Sequence, residues 1–127
     1  METNKKIGNR CEKIVAKALS DRGYWVHIFA QQVSGQPCDI VAIKGYETHA
    51  QLIDVKHCTG RRFLLSRIEP NQINSFRYAT SIGIPCFFAI VYQETIYWLS
   101  WEQAEYALNQ GRTTIDILTG VERKWNL

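Results

Sequence analysis

Two short apolar segments, residues 37–43 (PCDIVAI) and 52–56 (LIDVK), carry charges that a buried strand does not normally tolerate. Both are rich in β-branched residues and are predicted to be strands. Asp and Lys are almost never fully buried unless they are paired or bound to a metal. Because strand side chains alternate, Asp54 and Lys56 share one face, with Cα atoms roughly 7 Å apart. We expect Asp39, Asp54 and Lys56 to converge on one place that suits a hard divalent cation and a phosphate oxygen.

The 127 residues are enough for one domain, predicted to span residues 1–127, and too few for two. The net charge of +3 permits a polyanionic partner without requiring one. The four cysteines are widely spaced, and three of them, in apolar surroundings, are predicted to be core residues rather than zinc ligands or disulfide partners. The sequence has no signal-peptide pattern and no apolar run long enough to cross a membrane, so we expect a soluble, cytoplasmic protein with no membrane partner.

Hydrophobic periodicity predicts an α/β fold with the element order αβββαββα, a mixed central β-sheet flanked by helices. Gly23 is predicted to end the first helix, and Pro70 suits the first turn of the second. The chain after residue 112 is ambiguous. The predicted helices are 5–22, 70–81 and 102–109, and the predicted strands are 24–31, the two segments above, 86–92 and 95–100, with a possible short strand at 63–65.

Each candidate site residue also has a plain structural interpretation, and the residues alone leave both open. Glu12 lies at the edge of the apolar stripe of helix one and is either a site residue or a solvated carboxylate. Asp39 follows Pro37 and suits a turn. Asp54 and Lys56 would form a simple ion pair if their strand were an exposed edge. Gln72, in the first turn of helix two, is commonly a polar surface residue.

The order of these residues is similar to that of a known group of proteins. A Glu in helix one is followed by Pro-x-Asp on a strand, Asp-x-Lys on the next strand and Gln in the following helix. This pattern resembles the PD-(D/E)XK nuclease superfamily, and within it the Holliday-junction resolvases of archaea and Gram-positive bacteria. The segments that carry the resemblance are residues 8–12, 36–43, 53–56 and 63–72.

Two departures from the pattern stand out. Cys38 separates Pro37 from Asp39, and the second acid is Asp54 where these resolvases more often carry Glu. Asp is one methylene shorter, which would shift the position or the preference of a metal slightly.

The resemblance implies a restriction-endonuclease-like core and a structure-selective DNA endonuclease that depends on Mg²⁺, with Mn²⁺ as a substitute. It implies a homodimer that resolves four-way junctions or other branched DNA without strong sequence preference. Asp39, Asp54 and the Val55 carbonyl would hold the metal, and Glu12 would do so through a water. Lys56 would orient the attacking water or neutralise developing charge, and Gln72 would position Lys56 or the water.

Basic residues on both sides of the acidic motifs are predicted to contact DNA phosphates, although ordinary solvated surface is the alternative. They are Lys5, Lys6, Arg10, Arg61 and Arg62. Two other functions stay open: another nuclease on the same core, such as a nicking, exonucleolytic or restriction-type enzyme, or a DNA-binding or inhibitory module. The intact acidic set argues against the module, because a site that has lost its activity has no reason to keep buried charge.

Overall fold

A computed structural model describes residues 2–30, 35–46, 49–121 and 123–127. In this part of the chain, three α-helices and eight β-strands are joined by short connections, with one 3-10 turn at Leu65–Arg67. The helices are α1 (Asn4–Asp21), α2 (Pro70–Ser81) and α3 (Trp101–Asn109). The strands are β1 (Tyr24–Ile28), β2 (Ile40–Lys44), β3 (Gln51–His57), β4 (Arg62–Leu64), β5 (Cys86–Tyr92), β6 (Thr95–Ser100), β7 (Thr114–Asp116) and β8 (Arg123–Asn126).

Helix α1 begins and ends where its capping residues predict. The Thr3 hydroxyl accepts a hydrogen bond from the Lys6 N–H at 3.2 Å, which satisfies one of the unpaired donors of the first turn. The helix ends before Gly23, whose φ of +89° lies in the left-handed region that favours glycine. The predicted helix is therefore confirmed to within one residue at each end.

The main sheet has six strands in the order β1-β2-β3-β5-β6-β8. Strands β3 and β5 are parallel and the other neighbours are antiparallel, so the predicted mixed sheet is confirmed. One apolar cluster packs α1 against one face, and a second packs α2 and α3 against the other. The sheet curls around α1, because the rings of Tyr24 and Trp125, on its two edge strands, lie only 6.5 Å apart.

The structure corrects several details of the predicted order. Strand β1 ends at Ile28 rather than at residue 31, and residues 31–34 lie outside the described part. Strand β4 replaces the possible strand at 63–65, and it pairs with β7 in a small separate sheet. Strands β7 and β8 come from the ambiguous C-terminal stretch. All four cysteines are buried, whereas the sequence predicted that three of them are core residues.

None of the described helices is long and apolar enough to cross a membrane.

Candidate active site

Strand register brings Asp39 and Asp54 together. Ile40, the first residue of β2, lies opposite Ile53 on β3, and Asp39 directly precedes it, so the Asp39 carboxylate neighbours that of Asp54. The Asp39 N–H donates to the Ile53 carbonyl at 3.0 Å, and its carboxylate Oδ2 accepts from the Val55 N–H at 2.7 Å. The interpretation of Asp39 as only a turn residue is therefore too simple.

Strand β3 lies in the middle of the sheet, between β2 and β5, so the exposed edge-strand interpretation of Asp54 and Lys56 is wrong. Asp54 is only 3% exposed. Burial raises the pKa of Asp54 well above its ordinary value. The Lys56 ammonium, 3.0 Å from Oδ2, acts in the opposite direction, and the neighbouring Asp39 carboxylate adds to the rise. One lysine does not compensate two adjacent carboxylates, and a further cation would favour the ionised pair.

Gln72 joins the acidic strand to α2. Its Nε2 donates to Asp54 Oδ1 at 2.8 Å, and its Oε1 accepts from the Glu69 N–H at 3.1 Å. The second bond caps the N-terminus of α2, so the same side chain both caps the helix and orients the Asp54 carboxylate. Gln72 is 6% exposed, which contradicts its interpretation as a surface residue.

The Lys56 ammonium is held by three oxygens from three parts of the chain. Besides Asp54, it donates to the Arg67 carbonyl at 3.2 Å and lies 3.4 Å from Gln72 Oε1. A long side chain with three acceptors loses most of its rotational freedom, so the charge occupies a defined place beside the carboxylates.

Glu12 approaches from a different side. It is 5% exposed, so it is no ordinary solvated carboxylate. It lies on α1, which covers the face of the sheet opposite to α2. Among the described residues, no group of three or more His, Cys, Asp and Glu side chains gathers as a metal site. The structure therefore brings Asp39, Asp54, Lys56 and Gln72 together without placing Glu12 in a three-carboxylate set, and a contact through water stays a prediction.

The predicted DNA-contacting residues fall into different environments. Arg61 forms a bidentate salt bridge with Asp116, with nitrogen–oxygen distances of 2.7–3.2 Å. Arg10 pairs with Glu2 at 3.1 Å. Lys5, Lys6 and Arg62 are exposed.

Arg67, which was not among the predicted phosphate contacts, lies closer to the centre of the site. Its Nη1 donates at 2.8 Å to the carbonyl of His57, the residue that follows Lys56. Its guanidinium lies 5.6 Å from the centre of the Phe63 ring. In the sequence, Arg67 is one of three arginines in residues 57–67, a stretch without clear periodicity, and nothing local distinguishes it from the other two.

The donor set fits a hard divalent cation. Asp39 and Asp54 offer carboxylate oxygens, which Mg²⁺ prefers over nitrogen or sulfur. Within the described residues, the buried Oδ2 of Asp54 accepts no well-aligned hydrogen bond, although the Lys56 ammonium is near. A buried carboxylate oxygen in that state is a good ligand for a cation.

A mixed central sheet with helices on both faces is the architecture of the restriction-endonuclease-like fold. The solved structure of Archaeoglobus fulgidus Hjc, a Holliday junction resolvase from an archaeal hyperthermophile, matches this chain with a TM-score of 0.58. The two chains are 20% identical, and the match covers 76% of this chain and 74% of the other. The predicted resemblance is confirmed at the level of the fold. No protein-family model matches the sequence, and no curated protein matches it.

Proposed function

We propose that this protein is a Mg²⁺-dependent endonuclease that hydrolyses phosphodiester bonds in branched DNA and resolves four-way junctions. The observation that carries the proposal is the cluster of buried Asp54 and Gln72 with the partly buried Asp39 and Lys56 on a nuclease fold. Removing charges from water costs several kcal/mol per ion even after relaxation. A strand that only had to pack would be more stable with apolar residues at these positions.

In this proposal Asp39, Asp54 and the Val55 carbonyl hold the metal, and Glu12 assists through a water. When bound, Mg²⁺ supplies a charge that lowers the pKa of a water and polarises a phosphoryl oxygen. Lys56 places a fixed positive charge where negative charge develops on the phosphate. Gln72 contacts both Asp54 and Lys56 and fixes their positions relative to each other, so these charged side chains need little rearrangement during the reaction.

Two observations support the proposed substrate class: the fold neighbour, and a sequence in which no base-reading motif is recognised. The neighbour is a Holliday junction resolvase. The mildly basic chain suits a polyanion, and binding without base contacts follows the shape of the DNA. Resolving a junction requires two symmetric cuts, whereas one chain carries one acidic pair. A two-fold homodimer is the simplest way to present two sites.

The test is cleavage of a labelled synthetic four-way junction beside a linear duplex of the same sequence. The wild type should make paired, symmetric cuts in the junction with Mg²⁺ or Mn²⁺, and none in EDTA. Equal cleavage of the linear duplex would favour a nicking, exonucleolytic or restriction-type enzyme. Tight binding without cleavage in either metal would favour a DNA-binding module.

A further inference from the structure

A cleft of about 570 Å³ opens beside Lys56, between the first turns of α1 and the end of β3. Three basic side chains, those of Lys56, Arg62 and Arg67, line it, and none of the described acidic residues does. A concave surface that carries only positive charge raises the local concentration of anions. The cleft is continuous with the candidate active site, because Val55 and Lys56 belong to both.

Gly8 lines the same cleft from the second turn of α1. Apart from proline, glycine is the least favourable residue in a helix interior. Its backbone has no positive φ that would require glycine. A Cβ added at Gly8 would meet no atom within 4 Å in the described chain, so internal packing does not explain it either. Bare backbone facing a cleft permits close approach of a ligand.

Arg67 connects this cleft to the catalytic lysine. Its guanidinium is anchored to the His57 carbonyl at the end of β3, and its own carbonyl accepts from the Lys56 ammonium. An anion in the cleft would therefore lie against groups whose positions are already fixed relative to Lys56. Arg61, by contrast, pairs with Asp116 and does not line the cleft.

We propose that this cleft binds the sugar-phosphate backbone of the DNA strand beside the phosphate that is cut. The exposed Arg62 and Arg67 each contact a phosphate, and Gly8 lets the backbone approach α1. This inference rests on the proposed nuclease function. Beyond that function, it specifies on which side of the acidic pair the bound DNA strand continues.

The test uses DNA binding in EDTA, which does not depend on cleavage. Anisotropy of a labelled four-way junction is measured over a range of salt concentrations for each full-length variant. Arg62→Ala should reduce the slope of log K against log salt by about one unit, the value for one lost phosphate contact. The matched control is Arg77→Ala, which removes an exposed arginine that pairs with Glu105 on another part of the surface, and its slope should equal that of the wild type.

Gly8 gives a second, independent readout. Gly8→Ala should raise the melting temperature, because alanine favours helix, and should nevertheless weaken junction binding. Gly8→Glu should weaken binding at least about tenfold, because it places both volume and negative charge in the cleft. Ser20→Glu makes the same charge change at an exposed position near the other end of α1 and should alter binding by less than about twofold.

If Arg62→Ala and Gly8→Glu both bind the junction as the wild type does, the cleft assignment is wrong, while the nuclease proposal stays in place. A wild type that binds no junction at any salt concentration would overturn both. Thermal melting of each variant confirms that a change in affinity comes from a folded protein.

Discussion

Asp54 relies on two neighbours that contribute in different ways. Lys56 offers charge, whereas the Gln72 amide offers a hydrogen bond at 2.8 Å to the other carboxylate oxygen. A buried acceptor that loses its donor costs about 1–3 kcal/mol. The position of Gln72 therefore bears on both stability and reaction geometry, and the two contributions need a control that separates them.

Gln103 provides that control, because it occupies the same capping position at the start of α3, where its Oε1 accepts from the Ser100 N–H at 3.2 Å. We expect Gln72→Ala and Gln103→Ala each to lower the free energy of unfolding by about 0.5–3 kcal/mol. Only Gln72→Ala should slow junction cleavage, because only Gln72 contacts Asp54 and Lys56. Urea denaturation and single-turnover cleavage measure the two effects, and equal cleavage rates would show that Gln72 is only a cap.

Arg61 illustrates how a non-local partner changes the role of a residue. Its partner Asp116 lies 55 positions along the chain, on β7. The hydrogen bonds from Arg61 hold the pKa of Asp116 below its ordinary value, so the pair stays ionised near neutral pH. A guanidinium already occupied by a carboxylate releases few counterions from DNA.

We therefore expect Arg61→Ala to leave the salt dependence of junction binding close to that of the wild type, unlike Arg62→Ala. The measurement is the slope of log K against log salt. A decrease of about one unit in Arg61→Ala would show that Arg61 leaves Asp116 to contact a phosphate, as the sequence alone had suggested.

At the scale of elements, the strongly patterned segments were predictable and the short ones were not. Helix α1 and strands β3, β5 and β6 have clear periodicity or long apolar runs, and each lies within one residue of its predicted bounds. Strand β2 has a similar apolar run, but it begins at Ile40, three residues later than predicted. Strands β7 and β8 have three and four residues, and they pair with strands far away in the chain. Such short strands form because a partner is available, and a local pattern cannot reveal that partner.

The same limit applies to the site. Asp54 and Lys56 could be recognised because charge interrupts an apolar strand, and the strand order then places Asp39 beside them. The contact of Lys56 with the Arg67 carbonyl and the position of Glu12 relative to the sheet depend on packing between elements. Sequence spacing alone does not determine either.

The cysteines allow a prediction about these packed elements. Burial raises the pKa of Cys38 from 9.0 to about 12 and the pKa of Cys86 from 9.0 to about 11. The folded state therefore keeps these thiols protonated at pH values where the unfolded state ionises. Their contribution to stability is complete below about pH 9 and is lost as the pH rises through about 11 for Cys86 and about 12 for Cys38.

We expect the native thiols to react slowly with a thiol reagent at pH 8, and all four cysteines to react rapidly once the chain is unfolded in guanidinium. The free energy of unfolding in urea should be lower at pH 10 than at pH 8. Labelling of Cys38 or Cys86 in the native protein at the rate of a small free thiol would contradict the packing described for these strands.

At the scale of the whole molecule, two apolar clusters lie on opposite faces of one sheet. Asp54 contacts Gln72 on the α2 side of the sheet, while the basic cleft opens between the end of β3 and α1. A substrate that touches both must pass the end of β3. That arrangement suits a strand of DNA, and a junction would need a second copy of the site for the opposite strand.

We expect the protein to be a two-fold homodimer at micromolar concentration, alone or on a junction. Sedimentation equilibrium with and without junction DNA measures the mass of each species. A strict monomer in both conditions would argue against paired resolution and would favour the nicking nuclease.

The most direct test of the central claim, that Asp39 and Asp54 form a metal site, is a calorimetric titration with Mn²⁺ in the absence of DNA. The wild type should bind Mn²⁺, whereas Asp39→Asn and Asp54→Asn should lose that binding while they melt cooperatively. Asp21→Asn, a surface variant that removes the partner of Lys17, should bind like the wild type. Equal Mn²⁺ binding by all four proteins would contradict the proposed metal site and the hydrolytic mechanism that depends on it.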